Sequence, residues 1–431
     1  MSPAAVHPPH HAKDPIGWTM AVTLGFFLLC LVRLTVVTKP YFDEIHYLPA
    51  ARAVLALSHP ANPEHPPLGK ELLALGIALF GDRPLGWRIM PALFGTLGLF
   101  AAMRGMWFAS LSRFATIACG VLLTTAFPLL VQSRIAMLDI FMASLALIAL
   151  WLCAGAVREP EIARRRLALA GVALGCSMGA KWNAVPVAAL PGLAFLAVRL
   201  RTAGLGALTA RRSAPVPGMT LVEAGLWLGL VPLVAYAACY WPNFLYAQRS
   251  ISPTGLIGWH RHMFDLQEQV VAPHTYMSVW YEWVSNWRAI WYLYEVVDGA
   301  QRGVLMVGNP LTVLLGLPAM LWCGWAGAFR RRWDALAVFV LYAVSFGMWI
   351  VAPKPVQFYY HYFLPSCFLM AGLALALDAL WQRGGRWRKR TVLGVLAGSC
   401  ALFAYFWPIL TAAKLDDGQA FLEYAWIPSW R

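Results

Sequence analysis

Charge is what this sequence has least of. Asp, Glu, Lys and Arg make up 13% of its 431 residues, against roughly 25% in a water-soluble domain. A soluble globular fold is excluded on that ground. Acids are scarcest, with 20 Asp and Glu against 34 Lys and Arg and a formal net charge of +14. Cysteine pairing signals are missing too: the eight cysteines are scattered and form no CxxC pair. That excludes a disulfide framework or a structural zinc site. The apolar runs also lack the alternation of a membrane barrel, which leaves helices as the spanning form. Interleaved nucleic-acid features are absent, so no nucleic-acid partner is expected.

What is abundant is apolar length. Hydrophobic residues reach 60% and the mean hydropathy is +0.60. Runs near 17–37, 88–108, 112–132, 138–157, 167–181, 183–199, 219–240, 303–325, 333–352, 360–381 and 391–411 approach the ~20 residues a spanning helix needs. They predict an all-α polytopic membrane protein with about 11 transmembrane helices, the run at 167–181 being the shortest. Residues 71–80 are apolar but too short to span, and predict a re-entrant or interfacial helix. Three regions follow: a transmembrane module over 1–240 with an outer loop at 38–87, a second outer loop over 241–302 with interfacial aromatic helices, and a transmembrane module over 303–431. The His- and Pro-rich leader lacks a small-residue cleavage site, so the first run is expected to be retained.

Basic residues orient the chain. With the N-terminus cytoplasmic, loops 158–166, 199–213, 330–332 and 383–390 lie inside and hold 16 of the 34 Lys and Arg. That is the positive-inside pattern. Segments 38–87, 241–302 and 412–431 then face outward.

The outward segments hold the unusual chemistry. Asp43 and Glu44 follow the first span, with His46, Glu64 and His65 close behind. Such acids either cap the next helix or, near a low-dielectric boundary, act as a base. The HPPLGK turn restricts the chain around His65 and Lys70. Arg134 and Asp139 flank the next outward turn, and Lys181 ends the short run. Each cation either snorkels or faces a lipid phosphate, for which guanidinium is well suited. Residues 273–295 carry four Trp and four Tyr, as an interfacial belt or as stacking surfaces for sugar rings. Lys354, Tyr359 and His361 return to the same side. Acids are nearly absent from span interiors, which disfavours an ion-coupled transporter.

Seven motifs in order carry a resemblance: YFDEIHY, HPPLGK, SRIAMLD, GAKW, HTYMSVWYEW with RAIWY, VLMVGNP and FYYHYFLP. From about residue 40 to 365 the chain resembles the protein O-mannosyltransferases, polytopic glycosyltransferases of the GT-C class. The resemblance implies GT-C architecture and inverting transfer of mannose from a polyprenyl-phosphate donor to Ser or Thr of a secreted or membrane protein, at the outer face of a bacterial inner membrane. It implies Asp43 as base, Glu44 orienting acceptor or donor, and Arg134 and Lys181 on the donor phosphate. His46, His65, Lys70, Asp139, Tyr359 and His361 would bind substrate. The second outer loop is too short for the β-trefoil insertion of eukaryotic members, which implies a compact bacterial type. No metal site is assigned, although His46, Glu64 and His65 leave a divalent cation open. Two alternatives stand beside this: an aminoarabinose-transferase-like enzyme acting on a lipid or glycan, and a non-catalytic lipid-linked sugar flippase.

Overall fold

The computed structural model describes residues 13–269, 272–352 and 354–431. From the N-terminal side it runs through α1 (Ile16–Leu31), α2 (Glu44–Leu55), α3 (Leu68–Phe80), α4 (Pro84–Ser110), α5 (Arg113–Thr125), α6 (Pro128–Gln132), α7 (Asp139–Arg158), α8 (Ala163–Ala180) and α9 (Val185–Ala203). Helical stretches follow at Leu221–Leu245, Leu256–Glu268 and Trp280–Val284, and then at Pro310–Arg330, Trp333–Val351, Phe363–Gln382 and Arg386–Leu410.

Every one of the eleven apolar runs holds a helix, but only eight helices among the described residues are long and apolar enough to cross a membrane. Physical reasons separate the other three. Helix α1 ends at Leu31, just before Arg33 with its left-handed φ of 56°. Helix α5 stops at a break around Phe127 (φ 79°), after which Pro128 starts a separate short helix. Helix α8 opens with Arg164, Arg165 and Arg166. The 71–80 run lies within α3, a 13-residue helix too short to span.

The all-α expectation needs one correction. Strands β1 (Ile290–Val297) and β2 (Ala300–Met306) form an antiparallel hairpin that turns at Asp298–Gly299, both with positive φ. Asp-Gly between β-branched and aromatic runs is a strong hairpin signal, and the aromatic density of the segment masked it. The boundary at 302/303 therefore falls inside β2. The next span begins at Pro310, where the Asn309 side chain accepts a hydrogen bond from the Leu311 amide at 3.2 Å.

Close packing rests on small residues. Along α8, Gly171, Gly175 and Gly179 face the Leu221–Leu245 helix. A Cβ on Gly171 would lie 2.1 Å from the Trp227 carbonyl oxygen, and one on Gly175 2.3 Å from that of Pro232. Small residues four apart let helix backbones approach where lipid provides no hydrophobic drive between helices. Large apolar side chains such as Leu24, Leu233 and Leu321 point outward, as a lipid-facing surface requires. Replacing Gly175 with Leu is expected to force the two helices apart at a cost of about 1–3 kcal/mol. Thermal unfolding in lipid or detergent would show it as a lowered midpoint, and an unchanged midpoint would mean the helices do not pack this closely.

Candidate active site

The site is built outward from the turn that precedes α2. Phe42 adopts a left-handed φ of 50° and stacks on Tyr292 of β1 with ring centroids 4.1 Å apart. Tyr292 is held by the Gln132 amide, which donates to its hydroxyl at 3.0 Å. Asp43 follows at the N-cap position, yet its side chain caps nothing. The capping reading of this acid is therefore set aside. Its half-buried carboxylate has no hydrogen-bond donor among the described residues. Burial pushes its pKa up to about 6, Asp139 raises it too, and Lys181, His46 and Lys354 pull against the shift.

Glu44 does something different. Its Oε1 accepts from Arg88 Nε at 2.8 Å and from the Ala136 amide at 3.0 Å. Its Oε2 accepts from Arg88 Nη2 at 2.8 Å and from the Tyr41 amide at 3.3 Å. Both side chains of this ion pair are essentially inaccessible. The remaining Arg88 donors reach the carbonyls of Leu34, Val37 and Lys39. Any orienting role of Glu44 is thus indirect: the carboxylate is enclosed and saturated, and it holds α2, α4 and the turn before α7 together.

Lys181 and Asp139 do meet. The Lys181 ammonium lies 2.9 and 2.8 Å from the two Asp139 oxygens and 5.0 Å from the Tyr360 ring centroid. The Tyr360 ring also approaches Phe42 edge-on. Arg134 points elsewhere. Its guanidinium donates to the carbonyls of Leu29 and Cys30 at the end of α1, and to that of Thr411. The two cations expected on one phosphate sit in different surroundings.

Other expected substrate residues serve the scaffold. Lys70 Nζ donates to the carbonyls of Ala61, Asn62 and His65 at 3.3, 2.8 and 2.8 Å. It staples the turn, and burial lowers its pKa to about 8. Tyr359 is buried and donates to Asn286 Oδ1 at 2.9 Å. Buried His361 packs on Trp349 with centroids 4.1 Å apart, and its Nδ1 accepts from the Phe358 amide. Lys70 Nζ, the Tyr359 hydroxyl and His361 Nδ1 are thus engaged inside the protein. His65 faces Tyr47, and burial holds its pKa well below the usual imidazole range. His46 is exposed. Among the described residues no three His, Cys, Asp or Glu side chains are grouped to hold a metal ion, so His46, Glu64 and His65 do not converge as ligands.

Residues that the motif reading did not select complete the site. Tyr360 takes the place expected of its neighbour, and Tyr292 arrives on the hairpin. Lys354 Nζ donates to Gln267 Oε1 at 2.9 Å, and Gln267 Nε2 donates to the Glu64 carbonyl at 2.7 Å. Which of the consecutive buried residues 359–362 faces Lys181 could not be told from sequence, but the basic residue in PKPVQ was visible.

A family model described as dolichyl-phosphate-mannose-protein mannosyltransferase matches residues 84–247. A polyprenol-phosphate-mannose--protein mannosyltransferase of Mycobacterium tuberculosis (strain CDC 1551 / Oshkosh) is 28% identical, with 96% of this chain and 92% of that protein aligned. Over nearly its whole length the chain is thus similar to protein O-mannosyltransferases. A similarly named protein of Corynebacterium glutamicum is 26% identical, with 96% of this chain and 93% of that protein covered. In fold, the chain is similar to the S. cerevisiae Pmt1-Pmt2 protein O-mannosyltransferase complex bound to the sugar donor (TM-score 0.80, 12% identity, 98% of this chain and 93% of that one). It is also similar to ArnT from Cupriavidus metallidurans bound to undecaprenyl phosphate (TM-score 0.55, 15% identity, 95% and 79%). These likenesses support a multi-pass membrane protein of GT-C architecture.

Removing one partner of the Glu44–Arg88 pair leaves the other charge buried and uncompensated, at a cost of ~3–5 kcal/mol. Glu44→Gln is therefore expected to lower the unfolding midpoint far more than Asp43→Asn. The double change Glu44→Leu with Arg88→Met should recover part of the loss. Equal midpoints for the two single variants would refute the structural assignment of Glu44.

Proposed function

We propose that this chain transfers a mannosyl residue from a polyprenyl-phosphate-linked donor to Ser or Thr hydroxyls of a protein, with inversion, at the outer face of the membrane. The observation that carries the reading is the Asp43 carboxylate: uncapped, raised to about 6 by burial, and electrostatically linked to the Lys181–Asp139 pair. The named relatives supply the donor and acceptor classes.

A serine or threonine hydroxyl is a weak nucleophile, and a positioned carboxylate that removes its proton in the transition state contributes roughly 10²–10⁴-fold. Asp43 takes that proton as the hydroxyl oxygen attacks the anomeric carbon. The bond from that carbon to the phosphate oxygen breaks, and polyprenyl phosphate leaves with the electron pair. One displacement from the opposite face inverts the anomeric centre. The sugar passes through an oxocarbenium-like state, as in glycoside hydrolysis, while negative charge grows on the phosphate. A cation in this low-dielectric recess stabilises that charge. Lys181 is in place for it, and Asp139 holds its ammonium ready. Tyr360 and the Phe42–Tyr292 stack give an aromatic wall for the sugar. The donor's lipid tail lies among the helices, with the N-terminus of the chain cytoplasmic and the acceptor a secreted or membrane protein.

The test uses purified protein in lipid vesicles, labelled polyprenyl-phosphate mannose, and Ser/Thr-rich peptide and lipid acceptors side by side. Asp43→Asn is expected to lower transfer to peptide by roughly 10²–10⁴-fold while donor binding persists. An acid must be ionised to act as a base, so kcat/KM of the unaltered protein should fall as pH drops through about 6. Label on lipid alone would overturn the acceptor, and full activity of Asp43→Asn would overturn the base.

A further inference from the structure

Two lysines stand at this site, and their charges are disposed of differently. Lys181 is neutralised by both oxygens of Asp139. Lys354 has no carboxylate within ion-pair distance among the described residues. Its hydrogen bond goes to the neutral Gln267 side chain, which is held in turn by the Glu64 carbonyl. A partly buried ammonium left with a neutral partner is costly, and an arriving dianionic or monoanionic phosphate would offset that cost. Arg134 points elsewhere, its guanidinium donating to the carbonyls of Leu29 and Cys30 at the end of α1 and to that of Thr411.

We infer that Lys354, positioned by Gln267, is the cation that directly engages the phosphate of the polyprenyl-linked donor, with Lys181 acting beside it as a cation already balanced by Asp139. The inference rests on the reading given under Proposed function and names a specific residue within it. Lys354 comes from the segment between Trp333–Val351 and Phe363–Gln382, in the later half of the chain, whereas Asp43, Asp139 and Lys181 come from the earlier half. The engagement therefore joins the two halves of the chain at the site. As the departing phosphate gains charge, the ammonium donates to an oxygen that no longer bonds to the sugar; no further co-reactant is required.

The charged groups facing Lys354 are Lys181 after α8, Asp139 at the start of α7, Glu64 in the stapled turn and Asp43 before α2. The imidazoles of His361 and His65 also lie within its field. Burial first, and then Lys181, lower the Lys354 pKa to about 8, while the three carboxylates oppose the shift. Because the engaged form is the protonated one, affinity for phosphate should be full well below that value and fall as pH rises through it.

The experiment measures polyprenyl phosphate binding and donor kinetics on the full chain in vesicles, for the unaltered protein, Lys354→Met and Lys354→Arg. Lys354→Met is expected to weaken polyprenyl phosphate binding and raise donor KM by roughly tenfold, with acceptor KM unchanged. Lys354→Arg should keep binding at neutral pH and move the alkaline loss upward, because guanidinium stays charged. Should Lys354→Met fail to fold, the Arg variant's pH profile decides alone. Unaltered polyprenyl phosphate affinity in Lys354→Met, or an alkaline limb unmoved in Lys354→Arg, would overturn the inference. Binding without transfer to peptide in the unaltered protein would overturn the acceptor reading only, and the binding arm would still judge Lys354.

Discussion

The buried pair of Glu44 and Arg88 is the constraint on which the rest of the site depends. Two charges removed from water inside a membrane protein are tolerable only when every lone pair and every donor is used, and here they are. The pair joins the end of the first outer turn, the start of α2, the body of α4 and the 134–136 turn. Asp43 is one residue away. With Glu44 locked, the neighbouring carboxylate has its backbone fixed and its side chain left over. Adjacent acids thus differ sharply: Glu44 is satisfied and structural, while Asp43 has no hydrogen-bond donor among the described residues. That division is a common way of keeping a polar group costly to bury at the place where chemistry needs it.

Around Asp43 the charges nearly cancel. Two carboxylates, Asp43 and Asp139, face two ammonium groups, Lys181 and Lys354. An anion arriving there would add negative charge to that set and a proton on Asp43 would remove some of it, so the two events are electrostatically linked. The aromatic residues enclose this cluster without contributing charge of their own. Burial is the leading cause of both resolved shifts, and it moves the carboxylic acid and the ammonium toward neutrality from opposite sides.

Much of this was legible in the sequence, for identifiable reasons. Length and hydropathy located the helices because lipid demands continuous apolar runs, and the DE pair, SRIAMLD and GAKW led to Asp43, Asp139 and Lys181. Patterning could not say which acid of the pair would find an arginine, because Arg88 lies 44 positions away in sequence and inside an apolar run. Nor could it rank Tyr359 against Tyr360, whose fates differ by one residue of register in a short helical turn. Lys70, Arg134 and His361 looked like ligands because they are polar beside a membrane. In the fold, the same polarity is spent on backbone carbonyls and amides that would otherwise be orphaned. The hairpin had its Asp-Gly turn in plain view.

The β1–β2 hairpin bears on how the enzyme comes into being. Thr38 and Lys39, beside the site's first acid, bind Asp298 and Glu295 across some 260 residues of sequence. Asp43, Asp139 and Lys181 all come from the earlier half of the chain, whereas Tyr292, Lys354 and Tyr360 come from the later half. Contacts so distant in sequence form late, since loop closure precedes any reward from them. During biosynthesis a half-inserted chain would carry Asp43 and the Lys181–Asp139 salt bridge but not Tyr292, Tyr360 or Lys354. This cluster of side chains would stay incomplete until the later half of the chain is in place.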